Sequence, residues 1–256
     1  MKLLICILAG LGAGLGTGFC GLSAAVFITP MLVAFLDVPV YEAVGIALAS
    51  DVLASAVSTG TYYKHKNIDV SGAKVLFFSV IICAVIGSVL AFLITVNSVG
   101  NDLLGYWSIA ATMLLGVKFL FDKGKQKEDK PVSRTRSGIA LLSGVYIGLV
   151  CGFQGTGGGM MLLFVLTGVL RMDHRKAVGT SVCIMTFTAL IGAISHFAIN
   201  GFPDLFMLAV CALSTLLFAQ LGAIIANRVP LVYLNRAIGI LMVGGGAVML
   251  LGNILG

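Results

Sequence analysis

Eight apolar segments alternate with short polar stretches along this chain of 256 residues. Most of them are close to the roughly 20 apolar residues that an α-helix needs to cross the hydrocarbon core of a membrane. The pattern therefore predicts an all-α membrane protein that passes through the bilayer several times. The predicted segments are residues 3–36, 43–63, 74–96, 103–121, 138–170, 177–199, 205–226 and 231–255.

The polar stretch Asp122–Arg136 divides the chain into two halves of similar length. Gly14–Tyr63 aligns without a gap with Gly148–Phe197, and ten of the 50 aligned pairs are identical. Because these identities are clustered, they indicate an internal duplication, a common way to build a transporter. The predicted organisation is repeat 1 over residues 1–121, a basic loop over 122–137 and repeat 2 over 138–256.

The first segment of each repeat is too long for one straight crossing and too short for two. Glycines interrupt both segments near the middle, around Gly18 in the first and around Gly157 in the second. Non-helical backbone is tolerated at membrane depth where it is buried in protein or lines a cavity. We therefore predict two re-entrant hairpins, each made of two short helices joined by a glycine-rich loop. A single interrupted span is the alternative for each segment.

The positions of Lys and Arg favour the re-entrant arrangement, because loops that face the cytoplasm are enriched in these residues. If both segments return to the side from which they enter, 15 of the 16 Lys and Arg residues lie in loops on one side. If every segment crosses once, the division is 11 to five. A hairpin in repeat 2 alone gathers all 16 but breaks the symmetry of the duplication. With two hairpins, the two repeats have opposite orientations in the cell membrane. Both termini then lie outside the cell, and the central loop lies in the cytoplasm.

The composition excludes several other classes of protein. Charged residues make up 10% of the chain, whereas a soluble domain carries about 25%. The net charge of +6 comes from the short loops, so it does not indicate nucleic-acid binding. The six cysteines lie in apolar segments without metal-ligand spacing, and we expect no metal or other cofactor. The expected partners are the lipid bilayer and a small solute, and a homodimer is left open.

The glycine-rich loops at the hairpin tips are the first candidate for a binding site. Each precedes a short helix, near Ser23 in repeat 1 and near Gly159 in repeat 2, and neither contains Lys or Arg. A helix N-terminus presents N–H groups and a positive partial charge, which favour a small anionic solute. Packing of helices through small residues is the alternative. The candidate residues are Thr17, Gly18, Gly21, Ser23, Gln154, Gly155, Thr156, Gly157, Gly158 and Gly159.

A second motif follows each hairpin, Ala43–Ala47 in repeat 1 and Ala177–Ser181 in repeat 2. In the second copy, Thr180 and Ser181 lie one turn inside the next predicted span. We expect these hydroxyl groups to face the same site as the tips. The alternative is that each hydroxyl bonds to the backbone of its own helix.

Asp51 is the only acidic residue well inside a predicted span. An ionisable group at that depth is unfavourable and indicates a function by default. Because apolar surroundings favour the neutral form of a carboxyl group, Asp51 is a candidate for binding the proton that couples transport. An ionised Asp51 would oppose an anion, so it would have to be protonated when the anion binds. Its equivalent in repeat 2 is Met185, and a hydrogen-bonded structural Asp is the alternative.

Two glycine-rich hairpins, each followed by an Ala-Val-Gly helix start, resemble the TauE/SafE family of membrane permeases. The most specific residues are Gly155–Gly159 and Ala177–Ser181, and the resemblance covers about residues 8–250. Repeat 1 lacks the triple glycine, with Gly16–Gly21 in its place. The resemblance implies export or uptake of sulfite, sulfonates or related organosulfur anions across the cell membrane.

These patterns predict a secondary transporter that works by alternating access between inverted repeats, and not an enzyme. A proton- or cation-coupled carrier of another solute, using Asp51, is the alternative. A channel would need a continuous polar stripe, which the segments do not show. An intramembrane aspartyl protease would need two facing carboxyl groups, and Asp51 has no partner at its depth.

Overall fold

The computed structural model describes residues 2–94, 117, 134–154, 158–229, 233, 236, 240, 243 and 244. Over these residues the chain is helical and contains no strand, which confirms the predicted all-α class. Segments 103–121 and 231–255 fall almost wholly outside this part of the chain. The helices are α1 (Lys2–Cys20), α2 (Ala25–Leu36), α3 (Val40–Lys64), α4 (Lys74–Ile94), α5 (Arg134–Gln154), α6 (Gly159–Phe164), α7 (His174–Asn200) and α8 (Leu205–Arg228).

Both long apolar segments are broken where their glycines cluster. Residues 21–24 separate α1 from α2, and residues 155–158 separate α5 from α6, which a π-helical turn (Val165–Val169) extends. Gly21 ends α1 with a left-handed φ of 68°, and its N–H donates to the Thr17 carbonyl oxygen at 2.9 Å. Glycine takes this conformation without the steric penalty that a Cβ atom brings, so it commonly follows the last residue of a helix.

Within the described residues, four helical stretches are long and apolar enough to cross a membrane. They are Lys2–Cys20, Glu42–Lys64, His174–Ile199 and Leu205–Arg228. Large apolar side chains such as Phe78, Leu142 and Ile194 stand exposed on the outer faces of the bundle. Because lipid tails are as apolar as these side chains, such an outer surface suits a protein embedded in the bilayer.

The first helix of each half packs against a helix of the other half. The first helix of the chain, α1, packs along α8, and its equivalent α5 packs along α4, while α3 and α7 contact each other. Glycines allow the helices of both pairs to lie close together. A Cβ atom added to Gly14 would lie 2.5 Å from the Thr215 carbonyl oxygen, and a Cβ atom added to Gly148 would lie 2.5 Å from the Val80 carbonyl oxygen. Since Gly14 and Gly148 are aligned in the sequence, the aligned glycine of each half makes the same kind of close contact with a helix of the other half.

Candidate functional site

The first tip, residues 21–24, is bonded to the middle of α3 through Asp51. The Ser23 hydroxyl donates to Oδ2 of Asp51 at 2.5 Å, and the Ala24 N–H donates to Oδ1 at 2.6 Å. Asp51 is fully buried, and Ser23 is nearly so. A carboxylate at the start of α2 also interacts favourably with the dipole of that helix. Two donors and the helix end therefore satisfy a carboxyl group that apolar surroundings would otherwise disfavour.

The first residue of α6, which follows the second tip (residues 155–158), lies against the first tip. A Cβ atom added to Gly159, the first residue of α6, would overlap the carbonyl oxygen of Gly21. On its other side, a Cβ atom on Gly21 would lie 3.1 Å from Oγ of Ser181 and 3.0 Å from a methyl group of Val182. The structure therefore brings Gly21, Ser23, Gly159, Ser181 and Asp51 into one region between the two halves.

The two halves differ at the position that Asp51 occupies. Its equivalent, Met185, is fully buried, and a Cβ atom on Gly159 would lie 2.7 Å from the Met185 sulfur. A carboxyl group thus stands at the start of α2, and a thioether stands at the start of α6. The site is therefore electrostatically asymmetric.

Other candidate residues make contacts that hold the backbone together. The Thr180 hydroxyl accepts the N–H of Asp69 at 2.9 Å, and the Ser181 hydroxyl donates to the Val178 carbonyl oxygen of its own helix at 2.8 Å. Gly18 lies in the close packing of α1 on α8. These contacts indicate that Gly18 allows close helix packing and that Thr180 supports the loop after α3.

Thr17 supports the first tip from within α1. Its hydroxyl is fully buried, 2.7 Å from the Leu22 carbonyl oxygen and 2.9 Å from that of Ala13, either of which it can bond. In the second half, Gly158 has a left-handed φ of 64° and packs on Cys151. Gly155, Thr156, Gly157 and the side chain of Gln154 lie outside the described residues.

Reasoning on the sequence missed two side chains that bond one helix to another. The buried Tyr62 hydroxyl donates to the Gly18 carbonyl oxygen at 2.8 Å, which connects the end of α3 to the last turn of α1 before the tip. Arg175 donates to the carbonyl oxygens of Asn227 at 3.0 Å and Val229 at 2.6 Å, and so bonds α7 to the end of α8. A tyrosine at the end of an apolar segment gives no signal that separates it from an interfacial anchor.

Among the residues that the structure describes, no group of three or more His, Cys, Asp or Glu side chains is arranged to hold a metal ion. The groups that converge on the tips are hydroxyls, a carboxyl group and backbone amides. Such an arrangement suits reversible binding of a small polar solute or a proton.

Known proteins resemble this chain over nearly its whole length. The family model described as sulfite exporter TauE/SafE matches residues 6–249. The probable membrane transporter protein YdhB of Bacillus subtilis is 27% identical over 229 residues, which cover 88% of this chain and 91% of the relative. YunE of the same organism, also named a probable membrane transporter protein, is 23% identical, with 82% of this chain and 84% of the relative covered.

The archaeal relative shows the same extent of similarity. The probable membrane transporter protein MJ0441 of Methanocaldococcus jannaschii is 22% identical over 258 residues, which cover 96% of this chain and 94% of the relative. The family is one of membrane transporters rather than enzymes. With its apolar helices, its paired interrupted segments and a family match over nearly all of its length, this chain belongs to the TauE/SafE family of membrane transporters.

Proposed function

We propose that this protein is a secondary transporter that carries a small anion, a sulfite, sulfonate or other organosulfur anion, across the cell membrane. The contact between the start of α6 and the first tip carries this proposal: Gly159 lies on the Gly21 carbonyl group, beside the buried pair of Ser23 and Asp51. Interrupted helices that meet between two repeats are the usual place for a transporter's substrate. The family description names sulfite export, and the names of the relatives say only that they are probable transporters.

Alternating access between inverted repeats is the mechanism that we infer. Equivalent helices end and begin at aligned positions: α1 ends at Cys20 and α5 at Gln154, and α3 begins at Val40 and α7 at His174. The exchanged packing of α1 on α8 and of α5 on α4 supports a twofold relation between the halves. Rocking of one repeat against the other would then expose the tips to each side of the membrane in turn.

In this proposal, residues 3–36 and 138–170 are re-entrant hairpins, both termini lie outside and the central loop is cytoplasmic. The breaks at residues 21–24 and 155–158 support the hairpins, because each falls near the middle of its segment. The gathering of 15 of 16 Lys and Arg residues on one side supports the orientation. A homodimer remains a prediction of the sequence.

The proposed substrate site consists of the two tips and the helix starts beside them. Ser23, Gly21, Gly159 and Ser181 have the best geometric support, because they lie together between the halves. Thr180 has less, because its hydroxyl is bonded to the backbone of the loop after α3. The remaining proposed residues are Thr17, Gly18, Gln154, Gly155, Thr156, Gly157 and Gly158.

The experiment that tests the function is uptake of radiolabelled sulfite, thiosulfate, taurine and sulfoacetate by purified protein in proteoliposomes. We expect saturable uptake of at least one of these anions, and a rise in its KM or a loss of uptake in Ser23→Ala. Ser50→Ala is the matched control, because the Ser50 hydroxyl is buried nearby and bonds to the Ile46 carbonyl oxygen of its own helix. Absence of uptake of all four anions by folded wild-type protein would contradict the substrate class.

A proton- or cation-coupled carrier of another solute is the second candidate. The observation that favours it is the complete burial of Asp51, whose carboxyl group can hold a proton or a cation between the repeats. The same liposomes separate the two candidates. Uptake of protons or sodium ions in the absence of any sulfur anion, and its loss in Asp51→Asn, would favour the second.

A further inference from the structure

A carboxyl group of the chain itself occupies the place where an anion would bind at the first tip. Ser23 and Ala24 donate to the two oxygens of Asp51, at 2.5 and 2.6 Å. These donors are a hydroxyl and an N–H group at the start of a 12-residue helix. They have the geometry and the partial charge with which a protein binds an oxyanion.

Three neighbouring N–H groups bond to acceptors nearby in the chain. The N–H groups of Gly21 and Leu22 donate to carbonyl oxygens in the last turns of α1, and the Ala25 N–H lies 3.3 Å from the Ser23 hydroxyl oxygen. Among these bonded groups, the Ala24 N–H and the Ser23 O–H alone donate to an acceptor from a distant part of the chain, Asp51. A solute that takes Asp51's place can therefore bind two donors without unfolding the tip.

We propose that Asp51 is a tethered competitor of the transported anion. In the absence of substrate its carboxylate occupies the start of α2, and the anion binds Ser23 and Ala24 only after Asp51 has taken up a proton and withdrawn. This inference rests on the proposed function and gives its coupling mechanism. One proton enters the site for each anion that does, because two anionic groups cannot share these donors.

Electrostatics gives the reason for the exclusion. Two unit charges within about 4 Å repel by several kcal/mol where the effective dielectric constant is near 20, as in a protein interior. Protonation of Asp51 removes this repulsion, and it also replaces charge-assisted hydrogen bonds with neutral ones, which are roughly half as strong. Binding of a proton therefore weakens the hydrogen bonds between Asp51 and the first tip, and it also removes the repulsion that would keep the anion from binding there.

In the part of the chain that the structure describes, no cationic side chain is bonded to Asp51. Among the described residues, its carboxyl group is bonded to Ser23 and Ala24 and to no Lys, Arg or His. On α3 itself, Glu42 and Lys64 stand at the two ends, roughly 14 and 20 Å away along the axis. The ionisable side chains on the helices that pack against α3 are Lys2, Cys6, Cys20, Asp37, Asp173 at the cap of α7, His174, Arg175, Lys176, Cys183, His196, Asp204 at the cap of α8, Cys211 and Arg228.

The test uses thiosulfate, which stays doubly charged from mildly acidic to mildly basic pH, whereas sulfite itself takes up a proton in that range. Wild-type, Asp51→Asn and Ser50→Ala proteins are placed in liposomes with the membrane potential held at zero. Thiosulfate accumulation is measured in the presence of an inward proton gradient. Counterflow exchange is measured without a gradient. A dye inside the liposomes reports the proton movement that accompanies uptake.

One coupled proton raises the accumulation ratio of wild-type protein and of Ser50→Ala by about tenfold for each pH unit of gradient. Asp51→Asn, with its uptake normalised to its own rate of counterflow exchange, loses both the accumulation and the dye signal. Accumulation by Asp51→Asn equal to that of the wild type would overturn the inference and leave the proposed function standing. If wild-type protein exchanges neither thiosulfate nor the other sulfur anions, the proposed function fails, and the inference fails with it.

A binding measurement covers the case in which Asp51→Asn does not fold. The melting temperature of wild-type protein in detergent is measured with and without thiosulfate at several pH values. We expect the stabilisation by thiosulfate to be large at acidic pH and to disappear at basic pH, where Asp51 keeps its place. A stabilisation that is the same at every pH would contradict the competition between Asp51 and the anion.

Discussion

Buried hydroxyl groups in the described helices bond in two ways that differ in their consequences. Ser50 and Thr215 bond to carbonyl oxygens four residues earlier in their own helices, so they satisfy themselves locally. Ser23 and Tyr62 bond to other segments, Asp51 and the Gly18 carbonyl group. Only bonds of the second kind restrain how the segments of the first tip are held against α3.

The sequence predicted part of this residue-scale picture. The depth of Asp51 follows from its place in an apolar segment, and the donor role of Ser23 follows from its place before a short helix. Their pairing did not follow, because it joins positions 28 residues apart and depends on how α2 packs against α3. Local patterns carry no information about such a contact, whereas they do carry the helical period and the turn residues.

Tyr62→Phe removes the hydroxyl that donates to the Gly18 carbonyl group at 2.8 Å. We expect the free energy of unfolding to fall by about 1 kcal/mol, the typical net contribution of a buried hydrogen bond. Reversible unfolding in mixed micelles with a rising fraction of SDS measures this change. Tyr63→Phe is the matched control, since the neighbouring ring is 75% exposed, and we expect no measurable change there. Equal stability of both variants and the wild type would show that the Tyr62 bond contributes nothing.

At the scale of helices, the local sequence determines where a helix begins and ends, but it does not determine which other helices that helix packs against. Asp173 and Asp204 accept N–H groups two residues later, at the starts of α7 and α8, which is typical of a helix cap. The break between α1 and α2 falls at the glycines, as the sequence predicts. That α5 packs on α4 rather than on a helix of its own repeat is set by the shape of the whole bundle.

Gly148→Leu places a side chain where α5 touches α4. A Cβ atom at this position would lie 2.5 Å from the Val80 carbonyl oxygen, so the helices must move apart. Overpacking of this kind lowers the stability of a protein by roughly 1–3 kcal/mol. We expect a lower melting temperature of the purified protein in detergent.

Gly138→Leu is the control for this substitution. Gly138 lies in the same helix, and a Cβ atom there would meet no atom within 4 Å. Because leucine is a better helix former than glycine, we expect an unchanged or slightly higher melting temperature. A decrease of the same size in both variants would show that the loss is not caused by the contact with α4.

Arg175→Gln tests the connection between α7 and the end of α8. The guanidinium group donates to two carbonyl oxygens there, those of Asn227 and Val229, where its charge also complements the helix dipole. Loss of hydrogen bonds to a charged group lowers stability by about 1.5–3 kcal/mol. We expect faster hydrogen–deuterium exchange in the last two turns of α8. Arg228→Gln, an exposed arginine in the same turn, should leave this exchange unchanged.

At the scale of the whole molecule, one internal duplication explains the contacts between helices more simply than a separate origin for each contact would. Aligned residues end α1 and α5, and aligned residues begin α3 and α7. Aligned glycines bring α1 close to α8 and α5 close to α4. At the site the two halves differ, because Asp51 stands in one half and Met185 in the other. Such a pattern is expected if a symmetric scaffold moves and a single carboxyl group couples that motion to a proton.

The orientation of the loops decides between two re-entrant hairpins and eight single crossings. With hairpins, the loop of residues 201–204 lies outside the cell and the loop of residues 65–73 lies in the cytoplasm. With eight crossings, both loops lie in the cytoplasm, because the fifth segment would then cross the membrane. Phe202 is 79% exposed in the first loop, and Lys66 is exposed in the second, so a cysteine at either position can react with a maleimide.

Phe202→Cys and Lys66→Cys are therefore compared in a protein whose six native cysteines have been replaced by alanine or serine. A membrane-impermeant maleimide is added to intact cells and to permeabilised cells. We expect Phe202→Cys to react in intact cells and Lys66→Cys to react only after permeabilisation. If both react only after permeabilisation, the fifth segment crosses the membrane, and the two halves are not inverted repeats with a re-entrant hairpin each. In that case the rocking of inverted repeats could not expose Ser23 and Asp51 to the two faces in turn, and the mechanism proposed above would have to be abandoned.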